Sequence, residues 1–307
     1  MVQSASPESR TYRNVRLAMI AVLVLLAVSV LIERFRTDPR CWQGSISAYY
    51  YTPARAIFVC SVLAVGVCMI VLKGSTKPED VLLNIGGMFA PVVALVPTPG
   101  EGSCSSVSQT LSDPSPSIAN NMWALFIAGS VALAVSFGIK LDANRDAPSD
   151  GLIAPNEGHD VQRSDRWSTA QDRALAASSL ILVAGLVWFV WFRPSFKDNA
   201  HYVAALAFFA MIISIVWLNG RDAPRNNTTG PVLKRRVTKL YRGIAIAMGV
   251  CIAYGVLGRL LDWKYSLLHV EVALILLFLA FWITQTKELW TPGLRPTADT
   301  ETAPLAK

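Results

Sequence analysis

Apolar residues in this chain are gathered into eight long runs, separated by polar segments whose charge changes from one to the next. The runs cover roughly residues 15–33, 55–73, 81–98, 119–139, 173–192, 200–219, 241–259 and 266–286. A helix needs roughly 20 apolar residues to cross a hydrocarbon core about 30 Å thick. Only helices and closed barrels satisfy their backbone hydrogen bonds in lipid, and these runs are too long for barrel strands. The pattern predicts an all-α transmembrane bundle of eight spans.

The same pattern divides the chain into a membrane domain and two tails. Residues 1–14 precede the first span, and residues 15–286 contain all eight. Residues 287–307 are rich in Pro, Thr and Glu, a composition typical of disorder. The first run follows a basic segment, as in a signal peptide, but no small-x-small cleavage site comes after it. We therefore interpret this run as an uncleaved signal-anchor.

The distribution of Lys and Arg predicts the orientation of the bundle. The loop Pro97–Asn120 contains none, Lys140–Arg173 contains five, and Arg221–Arg242 contains seven. Cytoplasmic loops carry an excess of these residues. If the loop without basic residues is external, 20 of the 28 Lys and Arg residues are cytoplasmic. Both tails are then cytoplasmic, so we predict an N-in, C-in topology.

Composition supports a membrane protein and argues against a nucleic-acid partner. The chain is 53% hydrophobic and 16% charged, which leaves no room for a large soluble domain beside eight spans. Its net charge of +7 could indicate nucleic acid. However, the basic residues flank the apolar runs, where membrane orientation and lipid headgroups account for them. The predicted partner is the lipid bilayer.

Three spans carry small residues four positions apart, a spacing that favours close helix contact in lipid. They are Cys60, Ala64 and Cys68 in the second span; Ala124, Ala128, Ala132 and Ser136 in the fourth; and Gly243, Ala247, Cys251 and Gly255 in the seventh. We predict that each stripe faces a neighbouring helix.

The cysteines divide according to this topology. Cys60, Cys68 and Cys251 lie inside spans, where cysteine behaves as a small apolar residue. Cys41 and Cys104 both fall in predicted external loops, so we predict a disulfide between them if that face meets an oxidising compartment. No cysteine pair has zinc spacing.

Polar groups with binding capacity concentrate at the predicted outer boundary. The candidates are Ser47, Tyr49, Tyr50, Tyr51, Arg55, His201, His269 and Glu271. The two histidines are 68 residues apart but enter the membrane from the same side. The tyrosine run could line an outward pocket for a sugar or lipid headgroup, or it could anchor the chain at the interface.

Glu271 lies more than one turn inside the eighth span. An acidic group at the centre of a membrane helix costs roughly 2.5–3.5 kcal/mol, and less near the boundary. Glu271 therefore requires either a partner or contact with headgroup water. The candidate partners are Arg55, His201 and Lys264.

Enzymatic chemistry has little support in the sequence. A metal-assisted lipid hydrolase could use His201, His269 and one nearby acid, because zinc accepts such ligands and activates water. The chain has no glycine-rich phosphate loop, no Gly-x-Ser-x-Gly and no His-Glu-x-x-His. We predict no resident metal or cofactor and favour a non-enzymatic protein.

Small-molecule transport is a second alternative. Secondary transporters usually place charged groups or broken helices near the membrane midplane. The middles of these spans are nearly free of ionisable residues, and the polar Asn84, Ser214 and Asn219 lie toward the cytoplasmic ends.

The segments 45–55 and 200–205 resemble multi-span membrane proteins of unknown function from bacteria of the actinobacterial type. The first reads Ser-Ile-Ser-Ala-Tyr-Tyr-Tyr-Thr-Pro-Ala-Arg and leads into a span. A fainter likeness is to Frag-type proteins, in which a loop containing Ile-Ser precedes a span. These relatives have fewer spans, and the resemblance covers about a fifth of the chain. It implies a multi-pass protein of a bacterial cytoplasmic membrane. The outer polar cluster predicts binding of a lipid, an envelope component or a partner.

Overall fold

A computed structural model describes residues 7–36, 42–98, 114–145, 158–223 and 231–290. Within these ranges the chain forms eight α-helices and one short 3₁₀ helix, and no β-strand. The α-helices are α1 (Pro7–Arg36), α2 (Arg55–Val71), α3 (Lys77–Leu95), α4 (Ser115–Arg145), α5 (Gly158–Trp191), α6 (Arg193–Asp222), α7 (Pro231–Leu260) and α8 (Ser266–Glu288). The 3₁₀ helix, Ser47–Tyr51, lies between α1 and α2.

Seven of the described helices are long and apolar enough to cross a membrane. The chain is therefore a multi-pass membrane protein, and the predicted all-α bundle is confirmed. The remaining helix, α2, is apolar but has only 17 residues. At 1.5 Å per residue it is about 25 Å long, which is shorter than the hydrocarbon core. The N-in, C-in orientation stays a prediction.

The helices belong to two compact units. The first contains α1, α2 and α3, together with the chain from Asp198 to the end of α8. The second is Ser115–Lys197, which contains α4, α5 and the first residues of α6. The predicted membrane domain, 15–286, contains all of the second unit and most of the first.

In the first unit, an apolar core joins six helices, α1, α2, α3, α6, α7 and α8. Met19 of α1, Met69 of α2, Ile212 of α6, Met248 of α7 and Phe281 of α8 are each at most 1% exposed. Close packing of this kind provides most of the attraction between helices in lipid, where no hydrophobic force draws them together.

Glycines allow α2 and α3 to pack closely. A Cβ atom at Gly66 would lie 2.8 Å from the Cβ of Ala90. A Cβ atom at Gly87 would lie 2.6 Å from Ile70 Cγ1 and 2.7 Å from the carbonyl oxygen of Gly66. Carbon atoms normally pack about 3.5–4.0 Å apart, so neither position accepts a larger residue without movement.

A buried polar network joins α3, α6 and α8 at the end where α3 begins. The carboxylate of Glu79, which is 3% exposed, accepts hydrogen bonds from the Asn219 amide at 2.7 Å and the Gln285 amide at 3.3 Å. It also accepts from the backbone N–H of Ser75 at 2.8 Å, and Gln285 donates to Asn219 at 2.9 Å. We refer to Glu79, Asn219 and Gln285 as the α3-start network.

A tight turn joins α7 to α8. The N–H of Trp263 donates to the carbonyl oxygen of Gly258 at 2.8 Å, and Asp262 has a φ of 51°. A left-handed residue after the last turn is a common way to end a helix, and Asp tolerates it better than most residues. Tyr265, with a φ of 62°, is the N-cap residue that immediately precedes α8.

In the second unit, α4 packs against α5 through a different face from the one predicted. A Cβ atom at Gly129 would lie 2.6 Å from Leu182 Cδ1, and the rings of Phe126 and Phe189 are 5.7 Å apart. The predicted stripe of α4 is wrong, because all its members are exposed: Ala124, Ala128, Ala132 and Ser136. The contact is made instead through Phe126 and Gly129, which lie on another face of α4.

The other two stripes are partly wrong. Cys60 is exposed, and α2 packs through Ser61, Val65 and Met69, which lie one position further round the helix. In α7, a Cβ atom at Gly243 would meet nothing within 4 Å, whereas one at Gly255 would lie 3.0 Å from Val270.

Candidate functional site

Polar groups from four segments of the first unit meet at one end of its bundle. The segments are the 3₁₀ helix, the residues after α3, the third turn of α6 and the second turn of α8. The Ser47 hydroxyl lies 3.2 Å from Thr98 Oγ1, and His201 Nδ1 lies 2.7 Å from the carbonyl oxygen of Val96. These helix ends were predicted to share one membrane boundary, and they do lie together.

Glu271 is held by the 3₁₀ helix. Its carboxylate accepts hydrogen bonds from the backbone N–H of Ile46 and from the Ser47 hydroxyl at 3.2 Å. Main-chain donors at the start of a helical turn suit a carboxylate, because they need no counter-charge. The donors differ from the candidate partners in the sequence, which are Arg55, His201 and Lys264.

The Ser47 hydroxyl is the centre of this cap. It lies 3.0 Å from Ser45 Oγ and 3.2 Å from both Thr98 Oγ1 and Glu271 Oε1. A hydroxyl has one proton but two acceptor lone pairs, so it can exchange partners without moving its oxygen. We refer to Ser45, Ile46, Ser47, Thr98 and Glu271 as the polar cap.

His201 is a buried residue that hydrogen-bonds to the residue directly after α3. It is 2% exposed, and its Nδ1 faces a carbonyl oxygen, which can only accept. Nδ1 therefore carries a proton and donates to Val96. The last carbonyl groups of a helix have no partner within that helix, so His201 satisfies one that follows α3.

The tyrosine run forms a buried turn. Tyr49, Tyr50 and Tyr51 are 2%, 0% and 7% exposed, and they pack in an apolar cluster with residues of α1, α2 and α8. Tyr51 donates to the carbonyl oxygen of Thr98 at 3.0 Å. Burial raises the pKa of Tyr51 to about 12 and also raises the pKa of Tyr49, so both phenols stay protonated at neutral pH. The run therefore supports the polar cap by packing.

Arg55 lies beside the tyrosine run. Its guanidinium donates to the Tyr50 hydroxyl at 2.8 Å and lies 4.3 Å from the centre of that ring. This contact combines a hydrogen bond with a cation–π interaction, which holds the first residue of α2 against the 3₁₀ helix.

A cavity of about 100 Å³ lies under the polar cap. Its walls come from α1, α2, α3, α6, α8 and the 3₁₀ helix, and they include Phe58, Phe208 and Phe278. The polar residues of its lining are Ser47, Ser61, His201 and Glu271. The Ser61 hydroxyl is buried and has no hydrogen-bond partner in the part of the chain that the structure describes.

The structure thus gathers three of the eight candidate residues at the cavity: Ser47, His201 and Glu271. The tyrosines and Arg55 lie next to these residues but are not among those that line the cavity. His269 is exposed, unlike His201. Among the described residues, no three His, Cys, Asp or Glu side chains form a group that could hold a metal ion.

Sequence reasoning missed Ser61, Thr98 and the α3-start network. Ser61 is a lone hydroxyl in an apolar run, which is a weak signal, and Thr98 looks like an ordinary loop residue after Pro97. Glu79 was overlooked because it is the sixth residue of the polar segment 74–80, which separates two predicted spans. The predicted pair Cys41 and Cys104 lies outside the described residues.

Comparison with known protein families, curated proteins and solved structures finds no match to this chain.

Proposed function

We propose that this protein, in a bacterial cytoplasmic membrane, binds a small amphiphile in the cavity under the polar cap. The amphiphile would be part of a lipid or another envelope component. The Ser61 hydroxyl is the observation that carries the proposal, because it is buried in the cavity wall and lacks a partner. An unsatisfied buried hydroxyl costs about 1–3 kcal/mol, and a bound oxygen or nitrogen would remove that cost.

The size and polarity of the cavity limit which molecules it can bind. It measures about 100 Å³, and apolar cavities of comparable size in proteins stay dry and accept small apolar molecules. Its floor is aromatic and aliphatic, whereas its polar groups lie at Ser61 and at the cap. The occupant should therefore have a short apolar portion and a single hydrogen-bonding group.

Co-purification tests this proposal. The full-length protein, purified in mild detergent, should carry a small amphiphile that native mass spectrometry detects. Ser61→Val removes the hydroxyl at nearly constant size, and Ala205→Leu fills the cavity; both should release the ligand. The matched control is Ser179→Val, because that hydroxyl lies in the second unit and bonds to the Leu175 carbonyl oxygen. Retention of the same ligand by both cavity variants would contradict the proposal.

The two alternatives have weaker support in this geometry. A hydrolase would need His201 and His269 at one centre, but His201 donates to Val96 and His269 is exposed. A transporter would need the cavity to open at both membrane faces. If Glu271 serves transport, Glu271→Gln should alter uptake of the co-purified molecule into proteoliposomes.

A further inference from the structure

An open groove of about 450 Å³ lies on another face of the first unit, between α3, α6 and α7. Its lining is almost entirely apolar and consists of Leu82, Ile213, Ser214, Trp217, Leu218, Ala245 and Ile246. The Ser214 hydroxyl is satisfied, because it donates to the Ala210 carbonyl oxygen at 2.8 Å. Trp217 is 50% exposed and Ile246 is 58% exposed, so the groove is accessible from outside the unit.

Two arginines lie at one end of this groove. Arg221 follows Trp217 by four residues on α6, and Arg242 precedes Ile246 by four residues on α7. Residues four apart lie on the same helix face, so each arginine is one turn beyond a groove residue. The two turns are adjacent, because a Cβ atom at Gly220 would lie 3.2 Å from Arg242 Cγ.

The charge at this end of the groove is positive. Arg242 is exposed, and the side chain of Arg221 is 60% exposed. Arg221 Nε also lies 3.4 Å from Asp222, but an ion pair this exposed is weak. Asp222 and Glu79, which are nearby acidic residues, are 4% and 3% exposed. The first turns of α7 add four more basic residues: Lys234, Arg235, Arg236 and Lys239.

We propose that this groove binds an anionic phospholipid. One acyl chain would lie along the apolar lining, and the phosphate would meet Arg221 and Arg242. Arginine binds phosphate through paired N–H groups, and basic residues beside membrane helices attract anionic headgroups. Trp217 would lie between the acyl chain and the phosphate, and tryptophan is enriched at this interface in membrane proteins. This site is independent of the cavity under the polar cap.

Lipid preference of the purified full-length protein tests the site. After delipidation in neutral detergent, phosphatidylglycerol should raise the melting temperature more than phosphatidylcholine does. The Arg221→Gln/Arg242→Gln variant should bind phosphatidylglycerol roughly 25-fold more weakly, because each basic residue contributes about a factor of five. The matched control is Arg259→Gln/Lys264→Gln, which removes the same charge at the other end of α7 and should keep the preference.

A second variant distinguishes the contribution of the acyl chain to binding from that of the headgroup. Ile246→Trp narrows the groove at an exposed position, keeps both arginines and should also release the lipid from native mass spectra. Glycerophosphoglycerol, the headgroup without chains, should give no thermal shift. The proposal is overturned if the wild type shows no preference or if the arginine variant retains it. It is also overturned if Ile246→Trp retains the lipid or if the chain-free headgroup reproduces the shift.

Discussion

Replacing Glu271 tests whether the polar cap contributes to stability. Glu271→Leu keeps the size of the side chain but removes the acceptor used by the Ile46 N–H and the Ser47 hydroxyl. The Ser47 hydroxyl can turn to Ser45 or Thr98, which lie 3.0 and 3.2 Å away. The Ile46 N–H is fixed by the backbone and cannot turn.

The unpaired Ile46 N–H therefore dominates the cost of Glu271→Leu. A buried donor left unsatisfied costs about 1–3 kcal/mol. Glu271→Leu also removes a carboxylate, which is costly to hold in the membrane, so part of this loss of stability is offset. We expect a loss of about 2 kcal/mol in the free energy of unfolding. Glu271→Gln should lose less than about 1 kcal/mol, because its amide oxygen can accept from Ile46 and its NH₂ can donate to Ser47.

Unfolding of the purified protein by SDS, followed by circular dichroism, measures these differences. Val272→Ala is the matched control, because Val272 is the next residue of α8 and is 39% exposed. The expected order of stability is wild type, then Gln, then Leu. Equal stability of the Gln and Leu variants would refute the reasoning, because it would mean that the Ile46 N–H does not depend on an acceptor at position 271.

Three further predictions concern packing, the α3-start network and topology. Gly87→Ala should lower the free energy of unfolding by about 1–3 kcal/mol, because its Cβ would meet Ile70 at 2.6 Å; Gly243→Ala, with open space around it, should not lower it and should raise it by up to about 1 kcal/mol, because alanine favours a helix interior over glycine. Glu79→Leu should cost about 1–3 kcal/mol in an SDS titration, because the Asn219 amide and the Ser75 N–H lose their acceptor, and Glu79→Gln should cost clearly less. Reporter fusions in the loop 97–120 should indicate the external side and fusions at Lys234 the cytoplasm; the same side for both would overturn the topology.

The helices were predictable because every segment that crosses the lipid must be a long, apolar helix. Each predicted run lies within or close to a helix, since apolar length alone decides whether a segment can cross. Packing faces were less predictable. The small residues of α4 are exposed, because a stripe such as Ala124 to Ser136 can face lipid as easily as a neighbour.

The candidate site was predictable only in part. Alternation of the spans predicted that Ser47, His201 and Glu271 share one boundary, and in the structure all three line the same cavity. The donors to Glu271 could not be foreseen, because every residue except proline has a backbone N–H and the sequence does not mark which is used. The partners in the α3-start network are also distant in the chain, since Glu79 and Asn219 are separated by 140 residues.

Hydrogen bonds to other elements hold helix α3 at both of its ends. Glu79 ties its first turn to α6 and α8, and the residues that follow it bond to His201 of α6 and to Ser47. Because one helix connects these two sets of hydrogen bonds, tilting α3 at one end should strain the bonds at the other. Motion that uncovers the cavity should therefore loosen the Glu79 contacts as well. Amide hydrogen exchange at the two extremities of α3 is expected to rise and fall together.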